Sequence, residues 1–153
     1  MDVSLVNPFI NATVKVLETM ASTKVDPGKP FLKKDKVARG DVTGIIGITG
    51  EANGTISVTF DEGSILGIVS KMFGEEMPEM NADVADAVGE LTNMISGQAR
   101  QQLEKNGREF EAAIPSVVTG KDHQINHITS GPIVAIPFST DGGNFTIEIC
   151  LEA

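Results

Sequence analysis

Apolar residues recur along this chain with two periods. Val84, Val88, Leu91 and Ile95 repeat at steps of four, three and four within DVADAVGELTNMISGQARQ, residues 83–101. That is one stripe of a helix. Asn81 is its expected N-cap, Asp83 suits its positive end, and it should run to about Lys105, where Asn106-Gly107 stops it. The same period, carried by Leu5, Phe9, Val16 and Met20 with Ile10, Val14 and Leu17 adjacent, predicts a helix from about Val3 to Met20. Asn7-Pro8 looks like its cap, with Pro at the first helical position. A shorter helix opens at Asp61 or Glu62, carries Ile65, Leu66, Ile68, Val69 and Phe73, and ends at Gly74.

Elsewhere the period is two or the apolar runs are short. Asp41–Thr49 and Gly54–Phe60 predict a hairpin turning through Gly50–Gly54, with Asn53-Gly54 as the turn dipeptide. Pro132–Ser139 and Phe145–Leu151 predict a second, joined by Asp141-Gly142-Gly143; each has one apolar face. Phe110–Pro115, Val117–Thr119 and Gln124–Thr129 are shorter extended pieces. Residues 22–36 form a polar, lysine-bearing connector with a short edge strand at Pro30–Lys33. A long helix followed by an apolar hairpin thus occurs twice, about 85 residues apart. The expected fold is an α/β (α+β) sandwich: a mainly antiparallel sheet, covered on one face by two long helices, with an internal pseudo-repeat. Residues 1–153 should form a single domain.

Composition narrows the function. The net charge of −9 and the absence of Trp and Tyr argue against nucleic acid or anionic lipid as partner. No apolar run approaches membrane-spanning length, and no basic stretch followed by an apolar one marks a signal peptide. The lone cysteine, Cys150, sits in a strand pattern, as a buried thiol in a reducing, cytoplasmic compartment would.

Several motifs fail on context. Gly44, Gly47 and Gly50 lie in a strand and its turn, not at the start of a helix, so they are no dinucleotide fingerprint. Gly120-Lys121 is no phosphate loop, because Pro115 and Asp122 stand where Gly and Ser or Thr are needed. His123 and His127 fall in turn and strand, where a spacing of four separates them by ~13 Å, too far for one metal. They read as surface histidines.

The long helix carries one further pattern. Asp86, Glu90, Asn93 and Gly97 recur at four, three and four opposite the apolar stripe, within about 60° of one another. Gly89 lies beside this face, and a mid-helix Gly costs ~1 kcal/mol relative to Ala. The two glycines suggest that something approaches the backbone closely here. A polar helix face is otherwise ordinarily just solvated.

Asp86-x-x-x-Glu90-x-x-Asn93 matches the D/S-x-x-x-E-x-x-N signature of the CheC/CheX/FliY chemotaxis phosphatase family. AVGELTNMISGQ resembles the active-site helix of the CheX branch, GIIGITGEANGTISVTF its central hairpin, and PSVVTGKD the segment after its long helix. CheC-type members carry the signature in both long helices. Here Asn11 and Val14 stand at the matching places in the first, so the resemblance is to the single-site CheX type. It implies a phosphatase acting on the phospho-aspartate of a CheY-type response regulator. Asn93 would position water and Glu90 would pair with the regulator's lysine. Asp86 and Gly97 would contact the partner. Mg²⁺ would be supplied by the regulator, with no cofactor bound by this chain. It further implies a homodimer, with the final strand Phe145–Leu151 as a poorly protected sheet edge. A non-catalytic regulator-binding or flagellar-switch module of the same fold, or a purely structural dimer, remains the alternative.

Overall fold

The computed structural model describes residues 3–124 and 132–152. Its elements run α1 (Val3–Ala21), β1 (Asp26–Pro27), β2 (Phe31–Lys33), β3 (Val42–Gly50), β4 (Asn53–Phe60), α2 (Glu62–Phe73), α3 (Ala82–Lys105), β5 (Phe110–Ala112), β6 (Ser116–Thr119), β7 (Ile133–Ser139) and β8 (Asn144–Glu152). Among the described residues the strands form one antiparallel sheet ordered β1-β7-β8-β4-β3-β5, with β2 also on β7 and β6 also on β3. This is the expected α+β sandwich, and its internal repeat is fuller than the sequence suggested. Each half supplies a long helix, two short edge strands and a hairpin. The halves exchange their edge strands: β1 and β2 pair with the second hairpin, β5 and β6 with the first.

Packing follows the two periods. Val42, Ile46, Ile56, Val58, Phe145 and Ile147 alternate onto one sheet face and are buried. Against them lie Val84, Val88, Leu91 and Ile95 of α3, each fully buried. Burying an aliphatic side chain of this size contributes about 1.5–3 kcal/mol, so this stripe is what clamps α3 to the sheet. The closest approach is at Gly44. A Cβ there would lie 1.9 Å from Thr92 Oγ1 and 3.3 Å from Val88 Cγ1, so only a glycine lets the helix seat. Helix α1 lies beside α3 and runs antiparallel to it: Ser4, near the start of α1, accepts from Arg108, beyond the end of α3, at 3.2 Å.

The opposite sheet face is polar yet closed. Thr43 and Thr59 share a 2.8 Å hydroxyl hydrogen bond. Lys33 donates to Glu148 at 2.8 Å, with the two side chains only 10% and 2% exposed. Lys33 also donates to the Val37 carbonyl, which fixes the connector over this face. His123 belongs to the same layer. One ring nitrogen lies 2.7 Å from the Gly120 carbonyl and the other 2.6 Å from Thr43 Oγ1. It is therefore a half-buried pin between a turn and β3, not a surface histidine. His127 lies outside the described residues, as does the expected strand beyond Gln124; Gln124 itself makes a single bridge to Val37.

Three local expectations are corrected. Asn7-Pro8 does not cap α1, which already runs from Val3. Pro8 lies in its second turn, where its missing N–H forfeits only an early rung of the ladder. In the first hairpin Gly50 takes the positive φ, +125°, and Asn53-Gly54 are already strand residues. Gly50 is required there because a Cβ would meet the Glu109 carbonyl oxygen at 2.6 Å. The final strand is not an edge: β8 pairs along one side with β4 and along the other with β7. Strand order is decided by which hairpins stack centrally, and that is invisible in the alternation of a single strand. The edges are β1–β2 and β5–β6, interrupted by Pro27, Pro30 and Pro115, residues that discourage further pairing.

Candidate active site

The site helix is fixed at both ends by its own sequence. Asn81, in extended conformation, accepts from the Val84 N–H at 3.0 Å, and Asp83 stands in the first turn. At the other end Gly107, at φ +84°, closes two reversed bonds: Gly107 N–H to Glu104 O and Arg108 N–H to Leu103 O, both 2.9 Å. That pairing satisfies carbonyls the last turn would otherwise leave open. A rigid, capped rod clamped along its apolar stripe presents its opposite face without adjustment.

On that face Asp86, Glu90 and Asn93 are exposed and Gly97 is half-buried. All four positions named from the sequence are thus brought onto one stripe, about 16 Å long at 1.5 Å per residue, with Glu90 and Asn93 about 4.5 Å apart along the axis. Among the described residues, no hydrogen bond or ion pair engages the side chain of Asp86, Glu90 or Asn93. Their donors and acceptors are free for an outside group. The helix hydroxyls are not: Thr92 and Ser96 are buried on the packed side, and Thr92 Oγ1 donates to the Val88 carbonyl at 2.7 Å. The exposed stripe therefore offers an amide and carboxylates, with no hydroxyl nucleophile among its four members.

The two glycines differ. A Cβ at Gly97 would find only the Arg100 Nη2 at 3.9 Å, so nothing inside the chain requires its absence. Gly97 leaves bare backbone on an outer face, consistent with close approach by a partner. A Cβ at Gly89 would touch Val117 Cγ2 at 3.4 Å. Gly89 faces β6, not the exposed stripe, and drops out of the site.

Among the described residues no group of three or more His, Cys, Asp or Glu side chains is placed to hold a metal ion. No helix among them is long and apolar enough to cross a membrane. Cys150 is buried and forms no disulfide among the described residues.

Residues 42–139 match the model of the family described as chemotaxis phosphatase CheX. The chain belongs to the chemotaxis phosphatase CheX family. The matched region spans β3 to β7 and includes the whole of α3. The CheY-P phosphatase CheX of Thermotoga maritima is 29% identical over 140 residues, covering 91% of this chain and 89% of that one. The solved structure of the chemotaxis protein CheX from Vibrio vulnificus superposes with a TM-score of 0.91 at 48% identity, covering 97% of this chain and 99% of the other. A third relative is the CheX of Borrelia burgdorferi, solved in complex with CheY, BeF3 and Mg²⁺. It matches with a TM-score of 0.82 at 27% identity, covering 97% of each chain. The CheX fold here is thus shared from end to end, and family membership places the chain among phosphatases.

One feature next to the stripe was missed from the sequence. Lys15, Val16 and Met20 of α1 face Met94, Gly97 and Arg100 of α3 across a groove of about 510 Å³. A helical period assigns faces on one helix at a time, so a groove between two distant helices leaves little trace in it. The one available signal was that Met20 and Met94 are apolar residues flanking their polar faces.

Proposed function

We propose that this chain hydrolyses the phospho-aspartate of a CheY-type response regulator, with Asn93 holding the attacking water and Glu90 engaging the regulator's active-site lysine. The single observation that carries this is a free amide one turn from a free carboxylate, on the exposed face of a capped and clamped helix. Hydrolysis of an acyl phosphate needs an in-line water more than covalent help from the enzyme. An amide suits that task because its oxygen accepts from water while its NH₂ can donate to a phosphoryl oxygen. A carboxylate in the same place would be repelled by the phosphoryl charge. Glu90, about 4.5 Å further back along the helix axis, suits an ammonium group, and binding it would loosen that lysine's hold on the phosphoryl group. Mg²⁺, present in the Borrelia complex of CheX with CheY and here taken to be held by the regulator, would neutralise charge on the phosphoryl oxygens. Asp86 and Gly97 extend the contact at either end, Gly97 by admitting the partner close to the backbone.

Binding tests the docking half of this reading. With a regulator held in its active form by beryllofluoride and Mg²⁺, Glu90→Ala should weaken affinity and slow dephosphorylation together, and high salt should restore neither. An affinity equal to that of the unaltered chain would remove Glu90 from the interface. The non-catalytic alternative predicts binding without turnover.

The chain is further proposed to act as a homodimer joined through sheet edges. With β8 interior, the available edges are β1–β2 and β5–β6. The latter carries Ile114, 90% exposed, between its two strands. Pairing there would cover that side chain and leave the Glu90–Asn93 face outward. Light scattering at micromolar concentration should give about twice the 16.2 kDa of one chain. A mass of one chain contradicts the dimer.

A further inference from the structure

The groove between α1 and α3 continues the site stripe. From Gly97 it runs on past Gln101 toward Glu104, along the same face of α3 as Glu90 and Asn93. Its floor is apolar, with Val16 and Phe110 buried and Met94 half-buried, while Met20 is exposed at its rim. Methionines suit a surface that must adapt to an incoming side chain. Its cations are Lys15, exposed on α1, and Arg100, half-buried on α3. Arg100 is unusual in that its Nε is buried and, among the described residues, has no acceptor. The guanidinium makes no hydrogen bond or ion pair among the described residues, so its Nη groups are open to a carboxylate brought to them. Lys15 likewise makes no ion pair among the described residues.

These cations answer a difficulty of charge. A chain at −9 must meet a partner bearing a phospho-aspartate and the carboxylates that hold its Mg²⁺. The chain's own negative charge offers no long-range attraction to that acidic site, so local complementarity carries the contact. Glu104 lies at the far end of the groove, leaving Lys15 and Arg100 as the positive centre nearer Gly97. We infer that this groove is a second docking subsite for the regulator. It receives an apolar side chain flanked by a carboxylate from the surface beside the phospho-aspartate, with Arg100 and Lys15 binding the carboxylate. The inference rests on the phosphatase reading above and names a recognition element for the same partner. It gives Gly97 a role as well: a side chain there would narrow the passage between the reacting face and the groove.

The test is a split between KM and kcat. Lys15→Glu lies on an exposed helix position and should not disturb folding. Arg100→Met keeps the aliphatic stem and removes the guanidinium. Each should raise KM for the phosphorylated regulator, the pair by about tenfold or more, with the effect falling on KM rather than kcat and the salt dependence of KM reduced. Lys36→Glu, on the connector across the other sheet face, makes the same change in net charge and should leave KM alone. Affinity for the beryllofluoride-loaded regulator, measured by calorimetry, reads the groove without requiring turnover. If the unaltered chain binds but does not turn over, the phosphatase reading fails while the groove is still tested. Unchanged affinity and KM in both groove variants overturn the inference, as does an equal rise in KM for Lys36→Glu. Lost self-association at unchanged regulator affinity would overturn it in favour of a second copy as occupant.

Discussion

Replacing Asn93 by Ala should slow dephosphorylation by about 10²–10³ while leaving the protein folded and able to bind its regulator. The magnitude is that of losing one positioned hydrogen-bonding group in a transition state, applied to an amide that holds water. Folding should be unaffected because Asn93 is exposed, makes no hydrogen bond among the described residues, and Ala is the better helix former. Asn93→Asp separates positioning from charge. It keeps the size and one oxygen but places an anion beside the phosphoryl group, so it too should be slow. Turnover of Asn93→Ala at the unaltered rate would remove Asn93 from the chemistry.

A large loss of stability is expected at Gly44, on the packed side of the site helix. Gly44→Ala places a methyl group 1.9 Å from Thr92 Oγ1, well inside contact distance. Thr92 cannot turn aside freely, because it is fully buried and its hydroxyl is committed to the Val88 carbonyl. The helix must lift or the strand must bend, and overpacking of this kind costs about 1–3 kcal/mol. Gly44→Val, with two more methyl groups to seat, should cost more. A lift of α3 also displaces Glu90 and Asn93, which sit on neighbouring turns, so activity should fall with stability. Removing the obstructing hydroxyl in Gly44→Ala/Thr92→Ala should return part of the loss. Chemical denaturation of the four species gives the coupling directly, and additive single effects would show that the contact at Gly44 does not hold the helix.

What could be seen in the sequence was local. The cap at Asn81, the opening of α2 at Asp61-Glu62, the stops at Gly74 and Gly107, and the buried stripe from Val84 to Ile95 follow from interactions within a few residues and are found where the pattern puts them, while the equally local cap at Asn7-Pro8 and turn at Asn53-Gly54 are not. The stripe carrying Asp86, Glu90, Asn93 and Gly97 could be seen for the same reason, since a helix fixes which side chains share a face. What could not be seen depends on distant partners. Glu148 is a surface guard if β8 is an edge and a buried ion-pair member once β7 and β4 enclose it. Gly89 looks like part of the exposed face until β6 is laid against it. Gly44 looks like one of three evenly spaced glycines until α3 crosses it. The pattern Asp86-x-x-x-Glu90-x-x-Asn93 could be read because its residues need only one helix, and its flanks made it specific. The groove lined by Lys15 and Arg100 needed two.

The most direct test of the account is release of inorganic phosphate from a phosphorylated CheY-type regulator, in Mg²⁺, with this chain present at far less than one equivalent. Many turnovers per chain are expected, at a rate well above the regulator's own decay and lost with Asn93→Ala. Decay at the regulator's intrinsic rate, with binding intact, would contradict it and leave a regulator-binding module in the place of an enzyme.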